Sequence, residues 1–126
     1  MSENTTVFEI GANTRSVDAL SVELAHEPVP AEQSLAGDPT TAAESLGEIF
    51  GAEFGLWEMS AGTMSDVEAE ELFIVLSGTA SVTIHPVNGF EEQTVNLVPG
   101  SICHLREGMN TTWVLEAPLR KMYLAK

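Results

Sequence analysis

One cysteine, three histidines and five basic residues are all that the 126-residue chain holds of these types. With Cys103 alone, an intrachain disulfide is excluded. Five Lys+Arg stand against 19 Asp+Glu, for a formal net charge of −14. Binding to nucleic acid depends on cationic groups that displace counterions from phosphates, so this class of partner is excluded. An anionic membrane surface is disfavoured for the same reason. No apolar run approaches the roughly 20 residues that a membrane-spanning helix needs. Residues 1–6, Met-Ser-Glu-Asn-Thr-Thr, carry no basic stretch of the kind that opens a signal peptide. The expectation is a cytoplasmic protein. The sequence also has no phosphate-cradling glycine loop and no Ser/His/Asp constellation. Cys103 has no evident base, because the adjacent His104 points to the opposite face of any strand that carries both.

Hydrophobic residues make up 44% of the chain, enough for one packed core and one domain over residues 1–126. The acidity has two readings. It is a solvated surface, or it serves salt adaptation or the attraction of cationic ligands.

Strand signals dominate. Residues 5–10 read as a short strand, and Leu20, Val22 and Leu24 alternate with polar neighbours. Residues 26–53 read mostly as a long arm, with a turn at Gly37-Asp38-Pro39-Thr40 and one short helix around residues 41–46. From Phe54 onward strands recur about every eight to twelve residues, over 54–59, 72–76, 80–84, 94–98, 101–105, 111–116 and 119–124. The stretch Leu72 to Leu76 is apolar on both parities and predicts a strand covered on both faces. Asn88-Gly89 is a hairpin signal, since a type I′ turn needs positive φ at both central positions. Many short strands with Gly and Pro turns define a sandwich or barrel.

Two glycine-anchored stretches then acquire meaning. One runs from Gly62 through Glu71 to Gly78, and the other from Gly100 through Gly108 to Trp113. Their spacing is that of the two cupin motifs. Together with Gly37-Asp-Pro-Thr40, Gly55-Leu-Trp57-Glu-Met-Ser-Ala-Gly62 and Thr112-Trp113-Val-Leu-Glu-Ala-Pro118-Leu-Arg120-Lys121-Met-Tyr123, they resemble the small cupins of the DUF861 (Cupin_3) family. That group is similar to the cupin domain of ethanolamine-utilisation proteins and, more distantly, to ureidoglycine aminohydrolase. The resemblance implies an all-β fold, an RmlC-like double-stranded β-helix or jelly roll barrel over 51–126. It further implies an N-terminal arm over 1–50 and a homodimer.

Metal-binding cupins supply three histidines and a glutamate from these motifs. Here Ser65 and Val67 stand at two of the histidine positions, or Met64 and Asp66 if the register moves by one, and Thr111 stands at the third. Of the expected ligands only Glu71 remains, so no tightly bound metal or other cofactor is expected. A weak divalent site would have to be rebuilt from Glu71, His104 and a third group.

Glu71 is the leading catalytic candidate. A carboxylate directed into an apolar barrel is costly unless it is paired. It is poised as a base or as the holder of a cation, or it is paired for structure only. Thr111 and Trp113 share a parity, as do Glu71 and Phe73. With Trp57 and Tyr123 they would line a ligand pocket, or else fill the core. Arg120 and Lys121 alternate faces on the last strand. One is expected to meet a buried acid, and Arg120 is taken as a ligand-binding residue. The function expected is a small-molecule-binding cupin without tightly held metal. The alternatives are a hydrolase or isomerase on a small amine, ureido or sugar-like metabolite, and a degenerate cupin with an assembly role.

Overall fold

The computed structural model describes the backbone of residues 9–10 and 14–15 and the whole of 16–126. Among the described residues there is no helix, and every strand pairing is antiparallel. Five strands form one sheet: β4 (Ser34–Ala36), β7 (Gly62–Val67), β9 (Ala80–Ile84), β10 (Gln93–Leu97) and β12 (Asn110–Leu115), in the order β10-β9-β12-β7-β4. Six form the other: β3 (Glu27–Pro28), β5 (Thr40–Ile49), β6 (Ala52–Met59), β8 (Glu71–Ser77), β11 (Ile102–Leu105) and β13 (Leu119–Ala125), in the order β11-β8-β13-β6-β5-β3. A separate ribbon pairs β1 (Glu9–Ile10) with β2 (Thr14–Arg15). This is a jelly roll, with the core between the two sheets. Period-two alternation along each strand sends Met64, Phe73, Val75, Val82, Trp113 and Leu119 inward, where all are buried.

The arm departs from its sequence reading. Residues 41–46, expected as a helix, lie in β5, which pairs with β6 from Thr41↔Met59 to Ile49↔Ala52 with one register shift between Ser45 and Gly47. A helix there would forfeit this ladder, and the tertiary pairing outweighs the modest helix propensity of Ala42 and Ala43. The arm also adds β4 to the five-stranded sheet through Ser34↔Met64, so it contributes to both layers. Leu20 to Leu24 forms no strand. The Asp18 carboxylate accepts a bond from Leu20 N–H at 3.0 Å, and its carbonyl accepts from Ser21 and Val22, winding the segment into a turn that buries Val22 alone of the three apolar residues. Of the strand expected over 5–10, residues 5–8 lie outside the described residues.

The turn at Gly37-Asp38 is present, with φ of 78° and 49°. Asn88 and Gly89 take φ of 57° and 86°, but they sit inside the longer connection from β9 to β10 rather than forming it alone. In β8 the inward residues Phe73 and Val75 are buried, whereas Leu72 on the outer face is 45% exposed. Within one chain that strand is therefore covered on one face only.

Candidate functional site

Strand parity assembles one polar cluster inside the apolar barrel. β13 turns Leu119, Lys121 and Tyr123 inward and Arg120 outward. From the neighbouring β8, Glu71 meets Lys121, with Oε2 2.7 Å from Nζ. The ammonium is 4% exposed. It lies over three rings, 4.5 Å from the centroid of Trp57, 4.2 Å from Phe73 and 4.9 Å from Trp113. Such rings attract a cation through their negative faces, so cage and carboxylate together replace the water that Lys121 has lost. Trp113 in turn packs on Trp57 at 5.4 Å and on Phe73 at 6.0 Å.

The opposite wall is acidic. β7 carries Asp66 inward, and Glu68 follows two residues later. Glu68 is 6% exposed. Its Oε2 accepts bonds from Thr111 Oγ1 at 2.7 Å and Trp113 Nε1 at 3.1 Å. Burial raises its pKa above the ordinary value, with the Asp66 charge adding to the effect and the two hydrogen bonds opposing it. Burial raises Asp66 as well, against the hydrogen bond from the Val67 N–H. A cavity of about 130 Å³ lies between the walls, lined by Trp57, Asp66, Glu68, Glu71, Trp113, Lys121 and Tyr123, with Ala43 and Ala125 beside them. The Tyr123 hydroxyl donates to Glu53 at 3.0 Å, and burial with that bond pushes its pKa up to about 12. Gly55 faces Tyr123 across the ladder, and a Cβ there would stand 2.6 Å from the tyrosine oxygen. The glycine thus admits the ring to its place.

Of the residues singled out from sequence, Glu71, Trp57, Trp113 and Tyr123 line this cavity. Phe73 and Thr111 stand directly behind it as cage and hydrogen-bond donor. Arg120 does not join them. Its Nε donates to Glu58 at 2.8 Å and Nη1 to the Ala19 carbonyl, and Glu58 also meets His26 at 2.6 Å. Glu58 is held below its ordinary pKa: burial raises it, but the bonds and charges of His26 and Arg120 outweigh burial. Arg120 therefore ties the arm to the outer face of the six-stranded sheet. His104 is also outside. It is 53% exposed and bonds Glu70, while its neighbour Cys103 turns toward the core. Glu71 and His104 thus lie on opposite faces of one sheet and cannot share an ion. The Cys103 thiol is raised by burial, which suits a packed residue rather than a nucleophile.

A cupin metal site does not fit the residues present. Met64 and Asp66, not Ser65 and Val67, face inward. The inward set near Glu71 is then a thioether, carboxylates and a hydroxyl, and Lys121 holds its own positive charge against the one glutamate the motif retains. An added cation at Glu71 would face that ammonium at close range. Among the described residues no group of three or more His, Cys, Asp or Glu side chains could hold a metal ion.

From sequence, Asp66 was named only as a register alternative at a histidine position and Lys121 only as one of two cations of which one meets a buried acid, and Glu68 was not given a role. The signal for Lys121 was available, because it shares parity with Tyr123 and Arg120 does not. Asp66 belongs to the register alternative with Met64, which is the one that faces inward, whereas Glu68 lies beyond the end of β7, where strand parity gives no signal.

Two antiparallel sheets closing over a polar, aromatic-walled cavity define a cupin. The chain belongs to the family described as the EutQ-like cupin domain, whose model matches residues 46–123. Solved structures agree at the level of fold. The chain is similar to an ethanolamine utilization protein Q from Salmonella typhimurium (15% identity, TM-score 0.68, covering 99% of this chain and 95% of that one). It is also similar to the EutQ protein of Clostridium difficile (16% identity, TM-score 0.63, covering 87% and 84%). A protein of the DUF861 family from Pseudomonas syringae pv. tomato, of unknown function, matches with 18% identity and a TM-score of 0.70 over 89% of this chain but only 47% of its own length. No curated protein matches. Among the described residues no helix is long and apolar enough to cross a membrane.

Proposed function

We propose that the chain is a small-molecule-binding cupin that works without a tightly bound metal. The observation that carries this reading is the cavity of about 130 Å³ between Trp57, Trp113 and Tyr123, into which three carboxylates and one ammonium converge. Aromatic walls with a few placed polar groups are the usual make-up of a small-ligand site. The Lys121 ammonium is a fixed cation beside the one glutamate that the metal-binding pattern shares with this chain. That pairing favours binding over base catalysis, since Glu71 already has a proton-bearing partner. The name of one structural neighbour, an ethanolamine utilization protein, supports a ligand drawn from small-metabolite chemistry.

The reading is tested by thermal denaturation of the purified chain against a library of small amines, polyols, ureido compounds and carboxylates. A ligand that binds only the native state raises the melting temperature with its concentration. Saturable stabilisation that disappears in Trp57→Leu is expected. Melting that no compound class shifts would overturn it. Near-stoichiometric metal surviving dialysis, measured by plasma mass spectrometry, would overturn the metal-free part.

The outer face of the six-stranded sheet supports a homodimer. Ile49, Phe54, Leu72, Ile74, Ile102 and Met122 line an apolar groove there with no charged residue. Phe50, at the β5–β6 hairpin tip beside it, is 93% exposed and holds a left-handed φ of 55°. An exposed aromatic in that conformation costs the monomer on both counts. A second copy covers it without opposing two chains of net charge −14 through charged surfaces.

A further inference from the structure

Resting on the small-molecule reading above, we propose that the acidic wall of the barrel cavity is a recognition site for a small organic cation bearing N–H donors, a primary ammonium compound. Glu68 Oε2 is saturated by Thr111 and Trp113, whereas Oε1 accepts no hydrogen bond among the described residues. Asp66 repeats the pattern. Its Oδ1 accepts from Val67 N–H at 2.8 Å and from Gln33 at 3.4 Å, and its Oδ2 accepts from no described residue. A buried carboxylate oxygen without a donor is costly, as for Glu68, and the half-buried Asp66 lines the same cavity. The only cation among the described residues that line the cavity, Lys121, is held by Glu71 and capped by three rings.

Charge decides the ligand class. Three carboxylates face one ammonium, so a carboxylate or phosphate ligand meets net repulsion. A neutral polyol supplies donors but leaves the excess negative charge in place. A primary ammonium supplies donors for the free oxygens of Glu68 and Asp66 and cancels the charge that burial makes costly. Trp57 and Trp113 add aromatic faces of the kind that already hold Lys121. The cavity volume limits the ligand to a few non-hydrogen atoms.

The chain has only two tryptophans, and both line the cavity. Two indole N–H signals in a nitrogen-15 correlation spectrum therefore report the site. The probes are ethanolammonium, 1,2-ethanediol and glycolate, matched in size and each bearing a hydroxyl. The expected result is saturable movement of the Trp113 signal with ethanolammonium, at an affinity about tenfold or more above that for the diol. Glycolate is expected to move neither signal. Glu68→Gln keeps an acceptor for Thr111 and Trp113 and should weaken ethanolammonium about tenfold while leaving the diol unchanged. If that variant does not fold, Asp66→Asn takes its place. Diol or glycolate binding as tightly as ethanolammonium would overturn the cation assignment and leave the small-molecule reading standing. Signals that ignore all three probes, in a chain that the compound library still stabilises, would overturn it too.

Discussion

Lys121 Nζ and Glu71 Oε2 lie 2.7 Å apart inside a barrel whose other inward residues are mostly apolar. Neither partner is tolerable there alone. Removing one strands a charge that the core cannot solvate, at about 3–5 kcal/mol, whereas removing both takes away the pair without leaving either partner uncompensated by the other. Lys121→Met and Glu71→Gln should each destabilise strongly. The double variant should cost clearly less than their sum. Urea unfolding of the four proteins gives the coupling energy, and strict additivity would mean that the pair is not coupled. Under the enzymatic alternative, Glu71→Gln would in addition abolish turnover while the fold survives.

Glu68 and Asp66 give stability a pH dependence of opposite sign to that of Glu58. Their pKa values are raised by burial above the ordinary 4.5 and 3.8, so the native chain binds protons more readily than the unfolded one. Their contribution is full below those values and is lost as pH rises through the native pKa. Glu58, held below 4.5 chiefly through His26 and Arg120 against burial, contributes above that value and loses its contribution as pH falls. Glu68→Gln removes a charge cost that exists only at the higher pH. Its melting temperature relative to wild type should therefore improve as pH rises above about 4.5 and level off once pH has passed the raised native pKa. A difference that stays constant with pH would show that Glu68 titrates no differently in the two states.

The dimer reading makes a prediction independent of the cavity. Light scattering on an eluting peak should give twice the chain mass of 13.5 kDa. Leu72→Arg and Phe50→Asp should convert it to monomer without loss of secondary structure, because both side chains are exposed in the single chain. Wild type running as a monomer at every concentration would reject the interface.

Most strands after Phe54 were legible because alternating burial leaves a period-two trace, but β7 (Gly62–Val67), which carries Asp66, was not among those expected. β6, β8, β9 and β13 lie within about two residues of their expected bounds. The arm was not legible. Ala42 to Leu46 carries no strand signature of its own, and its conformation comes from the β6 ladder beside it. The same limit applies to the site. Glu71 stood out by its motif spacing, whereas Arg120 was preferred to Lys121 although parity with Tyr123 pointed the other way.

What the sequence alone determined is therefore the jelly roll, the loss of the histidine ligands and the inward direction of Glu71, Phe73, Thr111 and Trp113. The two-residue period of a strand gave a sandwich or barrel and the shared parity of Glu71 with Phe73 and of Thr111 with Trp113, and the resemblance to the cupin motifs supplied the jelly roll, the missing histidines and which face points inward. Only the tertiary structure decided that Lys121 sits in an aromatic cage, that Glu68 and Asp66 face it across a cavity and that His104 is turned away. Asp66 lies on β7 with Glu68 just past its end, His104 on β11 and Lys121 on β13, up to 55 positions apart, and their placement depends on strand order and register, which no local pattern encodes.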